Sequence, residues 1–307
     1  VEVFHHVTVL RDESVALLRG RPGVTMLDGT LGGGGHARAL LETGARVIGI
    51  DRDPCALEAA RRRLSGFGDR FVAAHARFSQ AREVLDDLGI ERVDGLLLDL
   101  GVSSPQIDTA SRGFSFAQEG PLDMRMGATG ETAAELVERL SEEALADLIF
   151  QLGEEPHARR VARAIKRATP SPTTTQALAR IVSEAIPRQA WPRKIHPATR
   201  TFQALRIAVN GELDELDAIL GELPSLVGRG GRAAIISFHS LEDRRVKQRF
   251  RELGEGCVCP PGMPVCGCGR RAEFRVLTPR PISPSESEIS ANARARSARL
   301  RAIERLS

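Results

Sequence analysis

"VTMLDGTLGGGGHARALLETGARVIGID", residues 24–51, decides how the rest of the chain is read. Its first apolar run, VTMLD (24–28), predicts a strand that ends on an acid. Glycines 32–35 lead into a predicted helix with Ala37, Leu40 and Leu41 along one face, and ARVIGID (45–51) predicts a second strand, again ending on an acid. Strand, glycine loop, helix and strand in this order make a unit of parallel sheet with a crossover helix. Glycines let a ligand approach the backbone closely, and the start of the next helix offers unpaired N–H groups. Nicotinamide dinucleotides and S-adenosylmethionine are both held this way. GGGGHA even matches the relaxed dinucleotide fingerprint G-x-G-x-x-A, although a glycine run produces that match easily.

The alternation continues beyond residue 51. Pro54 opens a helix, FVAAHARF (71–78) predicts a third strand, AREVLDDL a helix, and VDGLLLDL (93–100) a fourth strand apolar enough to be buried on both faces. After GVSSPQID the pattern changes. Residues 109–130 read as a loop, and 132–220 carry helical periodicity with no convincing strand, Thr132 and Ser141 standing at helix starts. GRAAIISFHS (231–240) restores strand character, LEDRRVKQRFREL follows as a helix, and EFRVL and ARLRAIERL read as later strands. The expected fold is α/β, an open sheet interrupted after its fourth strand. Residues 1–108 and 213–307 would form the sheet domain and 109–212 an all-helical insertion.

Composition sets the class. Across 307 residues, 42% are hydrophobic and 27% charged, and no apolar run has the length of a membrane span. The opening VEVFHHVTVLRDESVALL lacks the basic-then-apolar layout of a signal peptide, so a cytoplasmic location is expected. The net charge is +3, and its make-up is unusual, because Lys166, Lys194 and Lys247 are the only lysines. Arginine suits bidentate phosphate contacts and stacking on bases, which keeps an RNA-binding face open. Cys55 reads as a small buried apolar residue. Cys257, Cys259, Cys266 and Cys268 have the ligand number of a zinc site, but their Cys-x-Cys spacing departs from the commoner Cys-x-x-Cys. No metal is assigned to them.

Three residues favour S-adenosylmethionine over a dinucleotide. Asp28 precedes the glycine loop, where a carboxylate repels a pyrophosphate but suits an amino group. Asp99 ends the fourth strand, and Phe78, just after the third, is placed to lie against an adenine ring. Asp51, ending the second strand, suits ribose hydroxyls in either cofactor. Asp99-Leu100-Gly101-Val102-Ser103-Ser104-Pro105 then offers an acid and two hydroxyls at a strand end. Enzymes that methylate ring amines place acceptors there, to orient a poorly nucleophilic nitrogen and stabilise its developing charge. Asp99 and Ser103 are accordingly the candidate catalytic residues.

The ordered motifs HHVTVL, LDGTLGGGGHA, DLGVSSPQID, RGFSF…PLDMRM, HPATRTFQALRIAVN, ISFHSLEDRRVK and ARARSARLRAIER run the length of the chain. Together they resemble the RsmH (MraW) family of bacterial 16S rRNA cytosine-N4 methyltransferases. The resemblance implies a class I methyltransferase (Rossmann-like) core with an inserted helical domain, and S-adenosylmethionine as methyl donor. It implies as acceptor the N4 amine of one cytidine in the decoding region of 16S rRNA, within the 30S subunit or a late assembly particle, and no membrane partner. Gly34, Gly35 and His36 would contact the cofactor in the loop, Asp51 its ribose and Phe78 its adenine, with Asp99 and Gln106 completing the pocket.

Overall fold

The computed structural model describes residues 8–256, 259, 267–269 and 271–307. The described residues divide into two compact units, one running up to Gly101 and resuming at Asp214, the other Val102–Leu213. The first segment thus ends at Gly101, where the sequence reading sets it at 108.

In the first unit, α1 (Arg11–Leu18) precedes β1 (Thr25–Asp28), α2 (Gly35–Glu42), β2 (Arg46–Asp51), α3 (Pro54–Leu64), β3 (Phe71–His75), α4 (Ala81–Asp87) and β4 (Val93–Asp99). In the second unit come α5 (Ser104–Asp108), α6 (Ala133–Arg139), α7 (Glu142–Gly153), α8 (Ala158–Arg167), α9 (Thr175–Ala185) and α10 (Thr199–Asn210). The chain continues with α11 (Glu212–Leu226), β5 (Val227–Ser237), α12 (Ser240–Gly254), β6 (Phe274–Val276), α13 (Glu286–Ala291) and β7 (Arg299–Arg305). No described helix is long and apolar enough to cross a membrane.

The seven strands form one sheet in the order β3-β2-β1-β4-β5-β7-β6. β1 to β5 run parallel, and β7 lies antiparallel between β5 and β6. This is an open α/β sheet of Rossmann-like kind, as the resemblance implies. The two faces of the sheet follow from period-two alternation. Leu27, Ile48, Ile50, Leu96 and Leu98 pack into one core, and Met26, Val47, Leu97, Ala234 and Ile236 into the other. α2 buries Ala37, Leu40 and Leu41 on the second face, as its spacing predicts.

Two strand boundaries differ from the sequence reading. β3 stops at His75, because Phe78–Gln80 forms a 3-10 turn that leads into α4. β5 begins at Val227 and ends at Ser237, so His239 and Ser240 leave the sheet to start α12. Its first residues, VGRGG, look like a turn, yet Val227 and Arg232 pair with β4 on either side of a bulge.

The second unit is helical among its described residues, apart from one isolated bridge between Pro121 and Thr174. Thr132 caps α6 by accepting from the Glu135 N–H, and Ser141 caps α7 by accepting from that of Ala144. Its core gathers Leu145, Ile149, Val161, Ile165, Leu178, Val182 and Leu205.

Candidate active site

The order β2-β1-β4 places the topological switch of the sheet between β1 and β4, where open α/β sheets take their ligands. Asp28, Asp51 and Asp99 are the last residues of β1, β2 and β4. The three acids singled out in the sequence therefore share the carboxyl edge of the sheet.

The glycine loop is tied down by backbone bonds. Gly29 N–H donates to Leu97 O at 2.9 Å, Leu31 N–H to Ile50 O at 2.9 Å, and Gly34 N–H to Leu31 O at 2.8 Å. Asp51 joins this clasp. Its Oδ2 accepts from Gly32 N–H at 2.8 Å and its Oδ1 from Asp53 N–H at 2.8 Å. Burial raises the Asp51 pKa, an effect that these two N–H groups oppose. Asp51→Ala should release the loop and weaken cofactor binding by roughly tenfold or more, the scale of a lost charge-assisted bond, as read by calorimetric titration. Unchanged affinity would remove Asp51 from the binding loop.

Gly34 stands just before α2 at φ 74°, ψ 26°, and a Cβ there would come within 2.9 Å of Leu64 Cδ1. Gly34→Ala should therefore cost about 1–3 kcal/mol of stability, measured by denaturant unfolding. Gly35 and His36 belong to the first turn of α2 rather than to the loop.

Asp28 and Asp99 are the unusual pair. Asp28 is buried, with Oδ1 accepting from Thr30 N–H at 3.2 Å and Oδ2 making no hydrogen bond among the described residues. Burial pushes its pKa up to about 7, the backbone N–H groups of Thr30 and Ala37 oppose the rise, and the Asp51 charge adds to it. Asp99 Oδ1 is likewise buried without a hydrogen bond among the described residues. Burial holds its pKa well above the usual carboxylate range, and the charges of Asp28 and Glu242 add to the rise.

His36 faces Asp99 across 3.7 Å, Nδ1 to Oδ2. Its Nε2 lies 3.1 Å from Val9 O, and since a carbonyl only accepts, Nε2 carries the hydrogen. The ring thus turns its Nδ1 towards Asp99. Glu242 was not foreseen in the sequence. It is 2% exposed, accepts from Phe238 N–H at 2.8 Å and His239 N–H at 3.3 Å, and lies 3.1 Å from His239 Nε2. The only sequence signal for it was its place at the third position of a helix after a strand end.

Phe78 opens the 3-10 turn and packs beside the loop, 3.3 Å from where a Gly29 Cβ would stand. Ser103 and Gln106 belong to the second unit, where Gln106 Oε1 accepts from Ser103 N–H at 3.0 Å and the pair caps α5. Cys55 is exposed, contrary to the sequence reading, because the buried face of α3 is made by Ala56, Leu57, Ala60 and Leu64. Cys257 and Cys266 lie outside the described residues, so the four-cysteine cluster does too.

Against this geometry the comparisons with known proteins are direct. A protein of Anaeromyxobacter dehalogenans named ribosomal RNA small subunit methyltransferase H is 59% identical over 305 residues, covering 99% of this chain and 98% of its own. A protein of the same name from Myxococcus xanthus is 54% identical over 303 residues, with 99% and 98% covered. Among solved structures, a SAM-dependent O-methyltransferase of Thermotoga maritima aligns with a TM-score of 0.41 at 11% identity, covering 99% of this chain and 68% of its own. The MraW methylase family matches residues 3–306, and the chain belongs to that family.

Proposed function

We propose that the protein transfers the methyl group of S-adenosylmethionine to the N4 amine of a cytidine in 16S rRNA of the small ribosomal subunit. The observation that carries the reading is the pair of buried carboxylates, Asp28 and Asp99, each with an oxygen that no group among the described residues satisfies. Buried unpaired oxygens are costly, and a cationic amino group at the switch point would relieve both. The α-amino group of S-adenosylmethionine is such a cation, whereas a dinucleotide pyrophosphate would be repelled. The residues present therefore fit this cofactor. The names of the relatives supply the small-subunit rRNA.

When bound, S-adenosylmethionine supplies a methyl carbon made electrophilic by its sulfonium. The residues of this chain do the rest. Asp51 fixes the glycine loop, and Gly34 with Gly35 and His36 at the start of α2 would line the cofactor. Phe78 would offer a ring face beside the loop, and Asp28 would hold the amino end. The cytosine amine has its lone pair delocalised into the ring, so it attacks well only when its hydrogens are held and one can depart. Asp99 in its ionised form would accept that hydrogen as the new N–C bond forms, and His36 Nδ1 stands 3.7 Å from its Oδ2. Transfer is direct, with no covalent enzyme intermediate. Ser103, as a hydroxyl offered to the acceptor amine, and Gln106, as a cofactor-pocket residue, stay in the proposal, both carried on the cap of α5.

The unit 102–213 is assigned to holding the rRNA. α8 buries Ala158, Val161, Ala162 and Ile165 and leaves Arg159, Arg160, Arg163 and Arg167 exposed. Such a face favours phosphate. The deciding experiment is incubation with labelled donor and undermethylated small subunits, then nucleoside mapping. N4-methylated cytidine at one position is expected; no transfer, or label on another atom, would overturn the assignment. Substrate in the form of a 30S subunit or a late assembly particle predicts label on those particles and much less on naked rRNA.

A further inference from the structure

We propose that the segment 187–200, with Phe116 behind it, is a stacking platform for unpaired bases of the RNA substrate. The proposal rests on the reading of the protein as an RNA methyltransferase and adds where single-stranded RNA is gripped.

The chain is poor in rings, with 4% aromatic residues, no tyrosine and one tryptophan. Yet four rings line up here. Phe202 is buried in the helical core, and Phe116 meets it edge-on at 4.8 Å between centroids. His196 lies 4.6 Å from Phe116, and Trp191 lies 6.5 Å from His196. Phe116 and Trp191 are half-buried and pack against the helical core, while His196 between them is exposed, so the row reaches solvent at His196.

The outer rings are held in place. Trp191 Nε1 donates to Ile186 O at 3.0 Å, and His196 Nδ1 accepts from Ala198 N–H at 3.2 Å. Pro192 stiffens the backbone between them, and Pro187 and Pro197 flank the pair. Rings fixed before binding lose little rotamer freedom when a base stacks on them.

Charge selects the partner. The segment carries Arg188, Arg193, Lys194 and Arg200 and no acid of its own. Arg188 sits over the Trp191 ring at 4.5 Å, Arg193 and Lys194 are exposed, and Arg200 is 3.7 Å from Glu155. Between them Ile195 is 44% exposed, among the few large apolar side chains the described residues leave in water. Aromatic faces interleaved with cations suit single-stranded RNA, whose bases stack while its phosphates pair. A duplex hides its base faces and would gain only the charge contacts.

The lone tryptophan makes the test direct. The full chain would be titrated with an unstructured oligoribonucleotide of about 12 nucleotides while Trp191 emission is followed. Saturable quenching is expected, with a duplex of equal length quenching far less. Arg193→Glu with Lys194→Glu should weaken binding about tenfold or more and flatten its salt dependence. Trp191→Phe keeps a ring and should bind several-fold more weakly by anisotropy. Circular dichroism and cofactor affinity would report that each variant is folded. Binding that leaves Trp191 emission unchanged, duplex quenching as strong as single-strand quenching, or wild-type affinity in the charge-reversed variant would each overturn the platform. Quenching in a protein that methylates no small subunit would retain the platform and overturn the proposed activity. Methylation without quenching would do the reverse.

Discussion

Asp99→Asn is expected to lower kcat for methyl transfer by about 10²–10⁴-fold, the usual share of a positioned proton acceptor. Asparagine keeps the size of the side chain and cannot take up a proton at this site. The backbone contact here does not depend on the carboxylate, since Asp99 N–H donates to Thr30 Oγ1 at 2.6 Å. Thr30 should therefore stay in place and the loop with it. Cofactor affinity should change by less than the transfer rate does, because Asp28 remains. The measurement is single-turnover transfer to undermethylated small subunits beside calorimetric binding of S-adenosylmethionine. Transfer within a few-fold of wild type would show that the amine hydrogen leaves to another acceptor.

The second large effect is on pH dependence, through Asp28. Its folded pKa of about 7 lies above the ordinary carboxylate value of 3.8, because burial penalises the charge. Below pH 3.8 folded and unfolded chains both carry the proton, and no stability is lost. Between there and about 7 the folded protein keeps a proton the unfolded chain has released, so stability falls as pH rises. Above 7 the loss is complete, on the order of 4 kcal/mol for this group alone. Asp51 and Asp99 are raised in the same direction and add slopes of the same sign. Asp28→Asn should remove its share and also reduce the rise at Asp99, which the Asp28 charge helps to cause. Urea unfolding at pH 5 and pH 8 checks it: the variant should lose much less stability between them than the wild type. A variant with the wild-type decline would place the burial penalty elsewhere. Affinity for S-adenosylmethionine should run the other way, rising with pH through about 7 as Asp28 ionises to meet the amino group. Asp28→Asn should flatten that rise.

Much of this was legible in the residues because the parallel strands are short apolar runs ending on acids. Asp28, Asp51 and Asp99 could be placed at one sheet edge from that pattern alone. Their division of labour could not. Asp51 clasps Gly32 and Asp53 through backbone bonds, while Asp28 and Asp99 keep unsatisfied oxygens, and only the fold decides which acid finds an N–H. His36 and Glu242 reach Asp99 from helices that follow different strands, a convergence no local spacing encodes. The start of β5 was hidden because VGRGG has the composition of a turn, and its pairing with β4 comes from distant chain. Cys55 misled because residue type alone sets a preference for burial, whereas the face of α3 decides it.

The position of β7 bears on how the molecule comes into being during synthesis. It lies between β5 and β6, though it follows both in the chain, and its Arg301 is buried against Asp243 of α12. A ribosome making the chain delivers β1 to β4 first, then the helices of 102–213, whose contacts are local and close quickly. β6 can reach its final partner only after β7 has emerged and paired with β5. Until then the β5 edge stays open, a template to which the edge strand of another chain could add. The late strand therefore works as a lock on assembly, and its arrival ends the interval in which a nascent chain is most exposed to wrong pairing.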